Sequence, residues 1–527
     1  MSPEQRLRKA IDLELIGLRR SITADRSAAI AALHNARDQL PRSTESDLIT
    51  GRQFTHLGTS KALQLVLESA TASANPSSVN DLTSWSDQFI RECGHVAEME
   101  LVLAHIESGF MRCAEIGDGI FHAWIASKRI PASWRERNDI DSWELQIARE
   151  LEPERLSLEA ERAKFWSGEL ADNGYFDRHA AFHVRRMSYQ LGYPQDAVVS
   201  GCPIRTVLHV LQLLISWALE EESRGETPAP RFENALIESI SIALNADSES
   251  VARVIAAFTL TRESAAYHAE VPGIAAAPLV RLDSNRLIWS IHGLLTEPLL
   301  FLTRELRRRS AQEYHNAAFL REAVFRDDLY SIFRDKRFVV SANRIELRRV
   351  DGDLRTDVDA AVFDRKTGTL GLFELKSQDP FSRSAGELTR RRDNLMHANR
   401  QVAGVLDWLK RYGADDLLGR IDSATAKKFR AQKVFPFVIG RYLVRFDDGP
   451  EPDRRAAWGT WPQLLRFLNG FAVNASESNP IASLHARLLK DAGFTQPPIE
   501  LPSRQITIGA TTLVVHPSHA AYLALVE

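Results

Sequence analysis

Between Thr356 and Gln378 the chain reads TDVDAAVFDRKTGTLGLFELKSQ, and this stretch gathers residues equipped for hydrolytic chemistry. In a strand, alternate side chains share a face, so Asp357, Asp359, Ala361 and Phe363 point one way. On the following run Glu374 and Lys376 share a face, about 7 Å apart at two strand steps. Phe373 and Leu375 take the other face. The DRKTG segment with Gly368 is a hairpin-type turn. Closing the hairpin there brings Asp359 alongside Glu374 and Lys376, so that two carboxylates and an ammonium converge. LGLFELKS is otherwise apolar, and charges in such a strand are unfavourable unless something compensates them. A divalent cation between the carboxylates would do so. Mg²⁺ takes a few carboxylate oxygens plus waters and leaves room for a phosphate oxygen. It lowers the pKa of a bound water and stabilises charge on a scissile phosphate. Lys376 would position or help deprotonate that water and offset developing negative charge. An ordinary hairpin with a surface ion pair at Glu374 is the plain alternative, and it leaves the shared face of Asp357, Asp359, Glu374 and Lys376 without a reason.

Elements must hold these residues in place. A long helix is expected from Arg309 to Phe333, followed by the short strand-like runs RFVVSA, RIELRRV, DVDAAVFD and TLGLFELKS. A second helix is expected from about Ala385 to Tyr412, and KVFPFVIGRYLV (from Lys433) reads as a buried strand. Helix, strands, helix, strand is the pattern of an α/β domain with a central mixed sheet.

Acid, hairpin, then Glu-x-Lys in an apolar strand resembles the PD-(D/E)XK nuclease superfamily, in Asp359 of DVDAAVF and Glu374-Leu375-Lys376 of LGLFELKS. The resemblance covers about 140 residues and implies a restriction-endonuclease-like fold, with Asp359 and Glu374 as metal ligands and Lys376 as the catalytic lysine. It also implies an upstream acid on the helix before the first strand as a further catalytic residue and metal ligand, for which Glu322 is the candidate and Asp327 and Asp328 the alternatives. A polar residue is expected on the later helix, and Gln401 fits. Branches of the superfamily with Gln-x-x-x-Tyr there are not matched, because Val405 stands at the fourth step. The implied cofactor is Mg²⁺, with Mn²⁺ as a substitute. The implied activity is hydrolysis of phosphodiesters, in DNA by analogy, with a role in bacterial defence against foreign DNA.

The segment after the lysine strand is basic. Arg383, Arg390, Arg391 and Arg400 are expected to meet the phosphate backbone beside the site. A solvated helix face is the ordinary reading of any one of them.

The rest of the 527-residue chain bounds the answer. A formal charge of −3 excludes a protein that binds nucleic acid by overall charge, so any attraction must be local. Cys93, Cys113 and Cys202 cannot build a disulfide framework and suit a reducing cytoplasm. The N-terminus lacks the apolar core of a signal peptide. The windows from Leu208 and Leu287 read as buried helices rather than membrane spans. Residues 1–300 read as mostly helical, including Met99 to Ile116, with possible breaks near 69–80 and 222–231. Residues 301–450 are expected to form the nuclease-like domain and 451–527 a C-terminal appendage with one helix and a late hairpin. The fold class is thus an α+β or α/β multidomain chain. Nucleic acid is the expected partner, with no membrane; the helical region is a place for a protein partner or a second copy. The rival to an enzyme is a catalytically inactive nucleic-acid- or protein-binding module carrying a helical scaffold. Cys93, His95, Cys113 and His122 have no zinc-finger spacing, and GRQFTHLGTSK (from Gly51) lacks the Gly-Lys-Ser/Thr of a phosphate loop.

Overall fold

A computed structural model describes the chain apart from residues 40–50, 70–78, 126–150, 168–173, 226–228, 271–276, 296–297, 378–383, 442–443, 445–450, 469–472, 474–475, 493–502 and 517–527, and the single positions 195, 200, 290 and 351. It is an α+β chain, with helices dominating its first 300 residues and a mixed sheet after them. The expected break at 69–80 falls mostly outside the described residues, and so do part of the 222–231 segment and Arg383.

The later unit begins with helix α1 (Ala311–Ser331), capped by Ser310, whose hydroxyl accepts from the Glu313 amide. Strand β1 (Phe338–Val340), strands β2 (Ile345–Arg348) and β3 (Leu354–Val358), then β4 (Ala360–Asp364) and β5 (Thr369–Lys376) follow. Helix α2 (Ala385–Tyr412) leads through two short helices, Ala414–Ile421 and Ser423–Lys428, to β6 (Lys433–Gly440) and β7 (Ala457–Thr460). The main sheet has the order β7–β6–β5–β4–β1. Strands β5, β6 and β7 run parallel, whereas β4 is antiparallel to both of its neighbours. The β4–β5 turn is closed at Gly368, whose φ of 63° is one that glycine adopts without strain.

Period-two alternation sorts this sheet into two apolar layers. Ala360, Val362, Phe373, Leu375, Phe437 and Ile439 pack against Phe325 and Leu329 of α1 and its C-cap Ile332. On the opposite face Ala361, Phe363, Leu370 and Leu372 meet Val405 and Trp408 of α2, and Val438 meets Leu395, Ala398 and Val402. Helix α2 is well specified by its ends. Ser384 and Glu387 form a reciprocal capping box, and Gly413 terminates it at φ 85°.

Four expectations are corrected. The run of acids on one strand is in fact two strands: β3 pairs with β2 as a separate ribbon, β4 joins the main sheet, and Asp359 stands at the bend between them. Residues 451–527 are not an appendage. Strand β7 is the edge of the main sheet, while α3 (Trp461–Arg466) and α4 (Pro480–Ala492) bury Trp461, Leu464, Ile481 and Leu488 in its core. Strands Arg504–Ile508 and Thr511–His516 are the expected hairpin, but Thr511–His516 also pairs in parallel with Ile120–Ile125. The helix expected from Met99 to Ile116 stops at Glu107; Gly109 turns the chain at φ 82° and Met111–Gly117 is a strand. In the window from Leu287, residues Arg286–Trp289 are likewise a strand, with helices only from Ile291. Apolar runs this short fit either periodicity, and pairing partners far along the chain decide between them.

The helical region grips the later unit at the start of α2. Helix Pro298–Arg309 buries Arg304 against Glu387 with an Nη1–Oε1 distance of 2.7 Å. Helix Val79–Glu107 packs beside α2 as well, bringing His105 into the field of Arg391. Within the helical region, Lys61 of GRQFTHLGTSK lies mid-helix in a buried ion pair with Glu100 (2.6 Å), which has nothing in common with a phosphate loop. Among the described residues no helix is long and apolar enough to cross a membrane.

Candidate active site

Asp359 is placed by two registers at once. In the main sheet Ala360 pairs with Phe373, so one step further Asp359 comes opposite Glu374. In the ribbon Ile345 pairs with Val358, so one step further Arg344 comes opposite Asp359. Facing residues on antiparallel strands have Cβ atoms about 5 Å apart. Asp359 and Glu374 therefore share one face, the α2 face, at the carboxyl end of β5. Asp359 is also fixed by the Leu375 amide, which donates to its Oδ2 at 2.8 Å. Both carboxylates are buried, at 8% and 6% exposure.

Lys376 follows on the same face. Its Nζ donates to Glu374 Oε1 at 2.5 Å and to Gln401 Oε1 at 3.0 Å. Gln401, buried on α2, turns its amide nitrogen to Asp357 Oδ1 at 3.2 Å. Asp357 completes the chain with an ion pair to Arg344. Helix α2 can lie this close because of Gly404, where a Cβ would come within 3.1 Å of Thr356 on β3.

Glu322 approaches from α1, one turn before the buried Phe325, and lies in the field of Asp359, Lys376, Arg344 and Asp357. The two alternatives for an upstream acid are placed differently: Asp327 is exposed, and Asp328 is paired with Arg441. Of the basic residues, Arg390 and Arg400 are exposed on α2, whereas Arg391 is half-buried toward the helical region.

The electrostatics are those of an acid cluster short of positive charge. Burial, and next the Asp359 carboxylate, push Glu374 well above the usual carboxylate range. Burial also raises Asp359, against the pull of Lys376 and the Leu375 amide. Glu322 is raised by burial and by Asp359. Burial alone would lower the Lys376 ammonium, but Glu374 and Asp359 more than reverse this and hold it above its ordinary value. Asp357, Asp359, Glu374 and Glu322 are four carboxylates beside Lys376 and Arg344, with Arg326 of α1 donating to the Asp359 carbonyl oxygen at 3.4 Å, so the acids outnumber these cations when all are ionised.

That deficit fits a divalent cation. Asp359 Oδ1 and Glu374 Oε2 take no hydrogen bond among the described residues, and each of these two carboxylates thus keeps one oxygen for a metal. Mg²⁺ is commonly held by one or two carboxylates with water filling the remainder. Among the described residues no three His, Cys, Asp or Glu side chains stand together in metal-ligating geometry.

Two neighbours escaped the reading of the sequence. His397 is exposed one helical turn before Gln401 and feels Lys376, Arg400, Asp357 and Asp359; burial and then the two cations hold its imidazole below the ordinary range. Spacing of four residues from Gln401 was the available signal. Arg344 carried no signal, because its place depends on the ribbon register. Of the residues set aside as zinc ligands, Cys93 is buried and His122 meets His516 with a 2.8 Å Nδ1–Nε2 contact. No family model matches the chain, and no curated protein or solved structure matches it either.

Proposed function

We propose that residues 311–492 form a divalent-metal-dependent phosphodiester hydrolase of restriction-endonuclease-like fold, acting on nucleic acid, with DNA the first substrate to test. The observation that carries this reading is the meeting of Asp359 and Glu374 across the β4–β5 register, with Lys376 held between Glu374 and Gln401. A structural ion pair would not need a second buried carboxylate opposite the first, nor a glutamine fixing the lysine from another helix. The site also lies beyond the carboxyl ends of parallel strands, where open α/β sheets place their ligands.

Asp359 and Glu374 would hold the metal, which when bound supplies an acidic water and charge stabilisation at the phosphate. Lys376, kept protonated by its acidic neighbours, orients the attacking water and answers negative charge as the phosphorus becomes five-coordinate. Gln401 fixes the lysine through its carbonyl oxygen and Asp357 through its amide nitrogen, so the ammonium points one way. Glu322 adds negative field beside Asp359 and would help draw the cation in. Arg390 and Arg400, exposed on α2, are placed for the flanking backbone.

The deciding experiment incubates the purified full chain with supercoiled plasmid in Mg²⁺, Mn²⁺ or EDTA. Nicked or linear product is expected with either metal and none with EDTA. Asp359→Ala and Lys376→Ala are each expected to lower the rate by at least about 10²-fold while the protein still binds DNA. Binding without cleavage by the wild-type chain would instead indicate an inactive binding module.

A further inference from the structure

We propose that Arg344 is the phosphate-binding cation of this site: its guanidinium, parked on Asp357, transfers to a non-bridging oxygen of the phosphodiester being cleaved. This rests on the hydrolase reading above. Three observations lead to it. Arg344 stands one residue before β2 and Asp359 one residue after β3, the next step of the ribbon register, and its ion pair with Asp357 holds it beside the acids from the ribbon side. Its side chain is 42% exposed, whereas that of its partner Asp357 is 9% exposed and that of Lys376 15%. Of Lys376 and Arg344 it is therefore the one presented to an incoming ligand. Finally, its charge acts on Glu322 and Asp359 as well as on Asp357, so it lies near the acid cluster.

The charge balance gives the pairing a purpose. A divalent ion would offset the excess negative charge of the acids, and a phosphodiester then brings one more. Lys376 already gives two of its three N–H bonds to Glu374 and Gln401. Arg344 is held by one ion pair, and Asp357 keeps a hydrogen bond from Gln401 when the guanidinium leaves. A planar guanidinium can bridge two phosphate oxygens with paired N–H bonds, which the rounder ammonium of lysine cannot. Asp357 thus stores a cation beside the reaction centre in the unliganded protein and releases it as substrate arrives. Neither the attacking water nor the leaving oxygen passes a proton to Arg344; it stabilises the charge that gathers on the phosphoryl oxygens.

Arg344→Ala, Arg344→Gln and Arg344→Lys in the full chain test this against two substrates: supercoiled plasmid, and bis(p-nitrophenyl) phosphate, a diester with no flanking backbone. Arg344→Ala is expected to slow both by about 10²-fold. Guanidinium ion added to the buffer is expected to restore part of that loss, and to do nothing for Asp359→Ala. Arg344→Lys should recover less than half of the wild-type rate. With Ca²⁺ in place of Mg²⁺, fluorescence anisotropy should show oligonucleotide affinity falling about tenfold in Arg344→Ala. Wild-type rates in Arg344→Ala would overturn the proposal. So would loss of plasmid cleavage with the small diester unaffected, which assigns Arg344 to flanking backbone, or a deficit that guanidinium does not rescue. Arg344→Gln serves if the alanine variant does not fold. Should the wild-type chain cleave neither substrate, the hydrolase reading fails by itself. Anisotropy then decides the phosphate contact: weakened binding in the variant keeps it, and equal binding removes it.

Discussion

Asp359 occupies a position that a stability-driven sequence would avoid. Its carboxylate is buried, faces a second carboxylate and is held above the usual range. An acid whose pKa is higher in the fold than in the unfolded chain makes the native state bind more protons between those two values. Stability therefore falls as pH climbs through that window. Asp359→Asn removes this liability and retains an acceptor for the Leu375 amide. The metal-free variant is expected to be more stable than wild type near neutral pH. That gain should shrink toward zero as pH falls below the ordinary carboxylate range, where Asp359 is protonated in both states. Denaturant titrations of metal-stripped protein at several pH values measure it. A second outcome is expected at neutral pH. Mg²⁺ at ten times its dissociation constant should stabilise wild type by about 1.4 kcal/mol and leave Asp359→Asn unmoved, read by calorimetry.

Much of this site was legible from alternation alone. Strand parity put Asp359, Glu374 and Lys376 on one face, and the register agrees. Gln401 was legible through its place on a helix whose caps are spelled out by Ser384, Glu387 and Gly413. The bend at Asp359 was not, because counting alternate residues assumes one continuous strand and carries no information about a change of sheet. Arg344 was hidden for the same reason.

At the level of elements, the chain after residue 450 shows how a sheet edge can be misread. AWGT has too few residues to announce a strand, and it becomes one only by lying parallel to β6. The helices that follow then cover the α1 face of the sheet. Trp461 is 6% exposed and meets Phe325 edge-to-face with centroids 5.6 Å apart. Trp461→Ala is expected to cost about 3–5 kcal/mol, measured by urea denaturation, because the cavity opens in the core beneath the site. A chain ending at residue 450 is expected to lose cooperative unfolding of the whole α/β unit. Retention of a sharp transition in that truncation would contradict the placement of β7, α3 and α4. The ribbon is the other element whose role emerged only from pairing. Packed on α2 through Thr356 and Gly404, it supplies Asp357 and Arg344 together.

Taken as a whole, the molecule joins its helical region to the site through the first turn of α2. Arg304 and Glu387 are both nearly inaccessible, with Arg307 3.7 Å from the same carboxylate. Beside them Glu305, fully buried, binds His268, Arg308 and Arg309. These contacts fix the end of a helix whose middle turn presents His397 and Gln401. Removing one partner of a buried ion pair costs about 3–5 kcal/mol. Arg304→Met is therefore expected to separate a single thermal transition into two by calorimetry, as the helical region and the α/β unit unfold independently. Cleavage by this variant should fall less than in Lys376→Ala, because the contacts of Lys376 lie four turns further along α2.

The parallel pairing of Thr511–His516 with Ile120–Ile125 has a bearing on synthesis. His122 and His516 are 394 positions apart, yet they touch. At about 5–20 residues per second a ribosome needs roughly 20–80 s to cover that interval. Through this time one side of the early strand lacks its native neighbour and is open to a stand-in, be it a chaperone or an edge from another nascent chain. Once the late strand docks, the polypeptide is a closed circuit, and a protease that nicks a loop in between yields two fragments still bound to each other rather than a liberated hydrolase.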